Sequence, residues 1–132
     1  MKILLIAFFI TNIIFPQQNP LFEIDTRIRI VNDETLYVVI QIDNKSGRRV
    51  SQLKGFLTEL NNKGNIISEK KITHVNNKGP LLPSNQSSIR ALTFPFKKNL
   101  DHRFRYNISK IVFQNDSREF IWTKNDGLIR IN

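Results

Sequence analysis

The sequence predicts an all-β sandwich of about seven or eight antiparallel strands. Two observations carry that expectation. From Leu21 onward apolar residues alternate with polar ones at a period of two, and clusters of Asn, Asp, Gly and Ser break the alternation at roughly the 8–12-residue spacing of sandwich turns. A third is the lack of any helical period after the first residues, which favours a β-sandwich over a parallel α/β fold.

The first strand begins at Phe22, with Phe22, Ile24, Thr26, Ile28 and Ile30 on the expected inner face and Glu23, Asp25, Arg27 and Arg29 outside. Asn32-Asp33-Glu34 turns the chain into a second strand, where Leu36, Val38, Ile40 and Ile42 point inward. Asn44-Lys45-Ser46-Gly47 is the next turn, followed by a strand from Arg49 to Leu60. Its apolar phase slips between Leu53 and Phe56, so a bulge is expected at Lys54-Gly55. Asn61-Asn62-Lys63-Gly64 leads into a polar strand through Thr73, whose Glu69, Lys70 and Lys71 suit a sheet edge.

The stretch from Val75 to Ser88 is the longest loop. Ser88 to Phe96 resumes as strand, with Pro95 marking an end or an edge. Between Arg103 and Gln114, Phe104, Tyr106 and Ile108 keep one phase and Ile111 and Phe113 the other, so a bulge is expected near Ser109-Lys110. Asn115-Asp116-Ser117 and Asn125-Asp126-Gly127 then frame two short strands, 119–124 and 128–131. Phe120 and Trp122 fit the interior phase and are expected in the core.

The chain has 132 residues, 40% of them hydrophobic and ten of them Phe, which suits one packed core and excludes a disordered chain. Met1-Lys2 followed by an apolar run from Ile3 to Phe15, interrupted only by Thr11 and Asn12, is shorter than the about 20 residues a spanning helix needs. It reads as a signal peptide over residues 1–17, leaving one domain over 18–132 in a secreted or periplasmic protein. No cysteine is present, which excludes disulfides, a thiolate nucleophile and a zinc-thiolate site.

Catalytic chemistry finds few residues to work with. His74 sits near the end of the polar strand and His102 in a polar loop, without the spacing of a metal-binding pair, and both read as solvated. Asp33-Glu34 is explained by its turn, and Glu23 and Asp25 by a solvated strand face. No phosphate-binding glycine loop or nucleophile elbow occurs. The expectation is a non-catalytic binding or structural domain of the cell envelope, with no metal and no cofactor. The alternative is a small secreted enzyme whose site is built by loop 75–88 around His74 and His102.

The net charge is +9, spread along the chain with only short basic doublets at Arg48-Arg49, Lys70-Lys71 and Lys97-Lys98. Arg27, Arg29, Arg103, Arg105 and Arg130 occupy alternating strand positions, and aligned strands would collect them on one positive face. Such a face fits an anionic surface polymer or an acidic envelope protein. Nucleic acid fits poorly, because export separates it from the chain and no exposed aromatic pattern accompanies the charge. Asn44, Asn85, Asn107 and Asn115 each open an Asn-x-Ser sequon.

Three segments, Asn44-Lys45-Ser46-Gly47, Leu57 to Gly64, and Leu82-Pro83-Ser84-Asn85-Gln86-Ser87, occur in an order that resembles the FxLYD-like family of small bacterial extracytoplasmic domains. Leu57, Glu59, Leu60 and Asn61 stand where the family name places Phe, Leu, Tyr and Asp. The resemblance implies an immunoglobulin-like sandwich and implies no catalytic residue.

Overall fold

The computed structural model describes residues 19–132, so the signal peptide expected over 1–17 lies outside the described residues. Eight strands follow in order: β1 Phe22–Asn32, β2 Thr35–Asn44, β3 Val50–Leu60, β4 Ile66–Val75, β5 Ser87–Pro95, β6 Arg103–Phe113, β7 Phe120–Thr123 and β8 Gly127–Arg130. They form two antiparallel sheets, β1-β2-β5 and β4-β3-β6-β7-β8, stacked as an open, sandwich-like pair. The polar strand β4 is an edge, as its charges predict, and β5 ends at Pro95.

Alternation places the core. Leu36, Val38, Ile40 and Ile42 of β2 are buried along their whole length and meet Leu53 and Leu57 of β3 and Ile108 and Ile111 of β6 in one cluster. Each such aliphatic side chain contributes about 1.5–3 kcal/mol by leaving water. Phe22 packs edge-on against Trp122 with ring centroids 5.9 Å apart, and Phe113 against Phe120 at the same separation. The C-terminal aromatics are therefore core, as their phase predicts.

The irregularities fall close to the expected places, but not all on the expected strands. β3 keeps Leu53, Gly55, Leu57 and Glu59 on its inner face; the extra residues lie in its neighbours, His74 in β4 and Ser109 in β6, on either side of Lys54-Gly55. The phase slip within β3 comes earlier, where Ser51 is the unpaired residue between Val50 and Gln52. Ser109 is the bulge that the phase change of β6 requires. Gly55 is needed because a Cβ there would run into the Tyr106 hydroxyl and lie 2.7 Å from the Asn107 carbonyl oxygen.

One expectation for β1 fails over half its length. Phe22 is buried and Ile24 half-buried, whereas Thr26, Ile28 and Ile30 on the same face are exposed. The cause is the sheet opposite: β7 pairs with β6 only at Ile111↔Phe120, so among the described residues β6 has no neighbour on that side from Arg103 to Asn107 and none covers the far half of β1.

Asn44 ties the turns together. Fully buried, its Nδ2 donates to the carbonyls of Arg48 (2.8 Å) and Leu82 (3.1 Å), while its Oδ1 accepts from the Ser46 hydroxyl (2.6 Å) and amide (3.1 Å). Val50 and Leu82 exchange two backbone bonds of 2.9 Å, and Ser84 accepts from the Gly47 amide at 3.0 Å. Two of the three segments that carry the family resemblance therefore touch, far apart in sequence. With both amide hydrogens given to carbonyls, Asn44 is no glycan acceptor in the folded chain; Asn85, Asn107 and Asn115 are exposed.

Candidate binding surfaces

The histidines are not solvated, which corrects the sequence reading. His74 is 4% exposed; its Nε2 is hydrogen-bonded to the Tyr106 hydroxyl at 2.6 Å and its Nδ1 lies 3.4 Å from Ser88 Oγ. Burial, reinforced by the Arg90 guanidinium that donates to the His74 carbonyl at 2.8 Å, pushes its pKa down to about 4. Burial also drives the Tyr106 phenol above its usual range. The bulge at His74 turns an otherwise polar strand inward at that point, which the sequence pattern of β4 conceals.

His102 sits at the other end of the sandwich. Its Nδ1 is 2.8 Å from Glu59 Oε1, both side chains are nearly sealed from solvent, and its Nε2 accepts from the Lys97 amide at 3.1 Å. Phe96 lies over the imidazole at 5.6 Å. Glu59, which strand alternation alone gives no reason to single out, is a buried carboxylate at an inward position opposite Phe104. His74 lies level with Lys54 and His102 precedes Arg103, which pairs with Leu60, so along β3 the two histidines stand about 20 Å apart. They do not assemble the shared loop-built site, and among the described residues no group of three or more His, Asp or Glu is placed to hold a metal ion.

The five arginines do not share a face. Arg27 and Arg29 lie on the outer face of the three-stranded sheet, beside Val39 and Tyr37, where Arg27 pairs with Asp25 at 3.1 Å. Arg103 and Arg105 lie on the outer face of the five-stranded sheet, and Arg130, opposite Phe120, belongs to the rim of the inner face. β1 and β6 belong to different sheets, so no alignment of neighbouring strands can join them.

A different basic face replaces the expected one. Across β4, β3 and β6, successive outward rungs read Thr73, Lys54, Lys110; then Lys71, Phe56, Asn107; then Glu69, Thr58, Arg105; then Ile66, Leu60, Arg103. Lys110 pairs with Glu119 at 3.1 Å and Arg103 with Asp101 at 2.8 Å, whereas Lys54, Lys71 and Arg105 form no ion pair among the described residues. Glu69, the one carboxylate on these rungs, accepts from Thr58 Oγ1 at 3.0 Å. Sequence spacing does not group these lysines, because only strand neighbours distant in sequence bring them together.

The two flanks of the sandwich differ. On the β4–β5 side Lys70 reaches across to the Thr93 carbonyl (2.9 Å) and over the Phe94 ring (4.2 Å), and Arg90 and Ser88 meet His74, so this flank is closed. The opposite flank holds a cavity of about 610 Å³ between β1 and β6–β7, with Phe22, Ile24, Ile108 and Trp122 as its apolar walls. Glu23, Asp25 and Asp43 stand on the β1–β2 side of it. Hydrogen bonds from Gln41 and Ser87 hold the Asp43 carboxyl below the usual carboxylate range.

No family model matches the sequence, and no curated protein or solved structure matches it. Among the described residues no helix is long and apolar enough to cross a membrane.

Proposed function

We propose that the chain is an exported, immunoglobulin-like binding domain that acts without catalysis, engaging an anionic polymer of the cell envelope through the outer face of its five-stranded sheet. The strand order supports the fold assignment. In the constant-type immunoglobulin sandwich, strands A, B, E and D form one sheet and C, F and G the other. Here β1-β2-β5 occupy the places of A-B-E and β3-β6-β7 those of C-F-G, with β4 hydrogen-bonded beside β3.

The observation that carries the functional reading is the row of cations on β4, β3 and β6: Lys71, Lys54, Lys110, Arg105 and Arg103, three of them without a carboxylate partner. Lys54 and Lys110 are neighbours about 5 Å apart across strands, Lys71 lies on the next rung, and Arg105 and Arg103 follow one another about 7 Å apart along β6, a spread over four rungs that favours a polyanion over a single small anion. The half-buried Phe56 stands in their midst, between Lys71 and Asn107.

Retention on heparin or on vesicles containing anionic lipid, measured against salt, tests this. Lys54→Ser/Lys71→Ser/Arg105→Ser is expected to weaken binding about 100-fold in low salt, from about 1 kcal/mol for each cation. Removing three exposed loop lysines instead, Lys78, Lys98 and Lys124, is expected to cost far less. Equal losses in the two triple variants would reduce the interaction to net charge alone and refute the face.

A further inference from the structure

Strand β1 closes one side of the three-stranded sheet with no neighbour on its outer edge among the described residues. The Lys45 amide donates to the Leu21 carbonyl at 2.8 Å. Backbone groups of an antiparallel strand alternate in direction, so Glu23, Asp25, Arg27 and Arg29 turn their N–H and C=O towards β2. Those of Phe22, Ile24, Thr26, Ile28 and Ile30 point at the open edge. The side chains of this second set face the inner layer, where Ile28 and Ile30 remain 48% and 57% exposed. On the outer face two acids, Glu23 and Asp25, are followed by two bases, Arg27 and Arg29.

We propose that this edge is the interface of a homodimer, in which β1 of a second copy adds antiparallel across a two-fold axis through Thr26 and joins the two sheets into one of six strands. In a closed two-fold pair, residues equally far from the axis on opposite chains stand face to face on the same side of the sheet. The Thr26 axis sets Asp25 against Arg27 of the second copy and Glu23 against its Arg29. It sets Ile24 against Ile28 and Phe22 against Ile30. Moving the axis to Asp25 or to Arg27, the nearest alternatives that keep the faces matched, opposes two like charges at the centre. The charge order of β1 thus selects a single register.

The apolar side agrees with the same register. Ile28 and Ile30 of the second copy arrive opposite Ile24 and Phe22, over the cavity walled by Phe22, Ile24, Ile108 and Trp122. The exposed isoleucines of one copy cover the open flank of the other, reciprocally. Within one copy Asp25 pairs with Arg27 and Glu23 with Lys45, at 3.1 and 2.9 Å and about half exposed, so the charges exchange partners at the surface and set register more than affinity. The other free edge of this sheet, β5, is obstructed: Lys70 occupies the Thr93 carbonyl and Pro95 supplies no amide hydrogen.

Sedimentation of the purified chain, with circular dichroism to confirm folding, tests the interface. The wild-type chain is expected to dimerise, and Arg27→Asp to be monomeric because it opposes Asp25 with a carboxylate. Asp25→Arg/Arg27→Asp restores complementarity and the dimer. Thr26→Pro is expected to fold, since its amide points away from β2, and to abolish pairing. The chain has no cysteine, so Thr26→Cys places a single thiol on the axis. The Cα separation there, about 5.5 Å, lies within disulfide range, and oxidation is expected to cross-link the dimer; Ile30→Cys, opposite Phe22, is expected not to. A wild-type chain that stays monomeric to its solubility limit overturns the proposal. So does a dimer that Arg27→Asp leaves intact, or one that cross-links equally through either cysteine.

Discussion

Protonation of His74 gives the fold a defined acid sensitivity. Buried and neutral, this imidazole must take a proton when the chain unfolds at a pH below its unfolded value of 6.5, while in the folded state it resists protonation until about pH 4. The unfolded chain therefore binds more protons across that window, and stability falls as the pH is lowered from 6.5 to 4. Its contribution is complete above 6.5 and gone below 4. The interval corresponds to about 3 kcal/mol, a large share of the stability of a small domain. Asp43 and Asp116, whose carboxyls are held low, keep their contributions above their unfolded value of 3.8 and lose them only in stronger acid, outside this window. Urea unfolding at a series of pH values between 7.5 and 4, on the wild type and on His74→Phe/Tyr106→Phe, isolates the effect. The double variant replaces both members of the 2.6 Å hydrogen bond by apolar groups of similar shape and gives up besides it only the long Ser88 contact to Nδ1, a loss that does not vary with pH. Its stability is expected to lose about 3 kcal/mol less than the wild type between pH 7 and pH 4. Parallel curves for the two proteins would refute the reasoning.

Two further outcomes follow from the packing. Gly55→Ala drives a methyl group into Tyr106 and the Asn107 carbonyl and displaces the hydroxyl from His74; a loss of about 2–4 kcal/mol in chemical denaturation is expected. Glu59→Leu strands a buried histidine and is expected to cost about 3–5 kcal/mol, most of it recovered in Glu59→Leu/His102→Phe by the same assay. A double variant no more stable than the single one would show that the pair itself, rather than the orphaned partner, carries the energy.

The sequence revealed the strands well because period-two alternation in β2, β5 and β6 is a local property of half-buried backbone. The bulge at Ser109 was legible for the same reason: inward residues on either side of it cannot share one phase otherwise. What β1 exposes was hidden, since Ile28 and Ile30 have the same local pattern as Ile40 and Ile42 and differ only in what the opposite sheet places beneath them. The candidate sites failed at the same level. Arg27 and Arg105 sit on equivalent outward positions of their strands, yet membership of different sheets sends them to different faces. Lys54, Lys71 and Arg105 are joined only through pairing of strands remote in sequence. His74 looked solvated because its strand is polar, and the extra residue that turns its ring inward leaves no mark in composition.

The loop of residues 76–86, by length the natural place to cut or extend this protein, is fastened at both levels of the turn it crosses: Leu82 is bonded to Val50, Asn85 to Asn44 and Gly47 to Ser84. A protease would find Leu82 to Gln86 held as firmly as a strand, whereas Asn76 to Pro80 is exposed and bonded only within its own turn. The hairpin tip at Asn61 to Gly64 is exposed and secured mainly by the Asn61 side chain and a few bonds within the turn. Nicking, inserted epitopes and new termini for a permuted chain belong at that tip or at Asn76 to Pro80, and not in the bonded half of the longer crossover from Leu82 to Gln86.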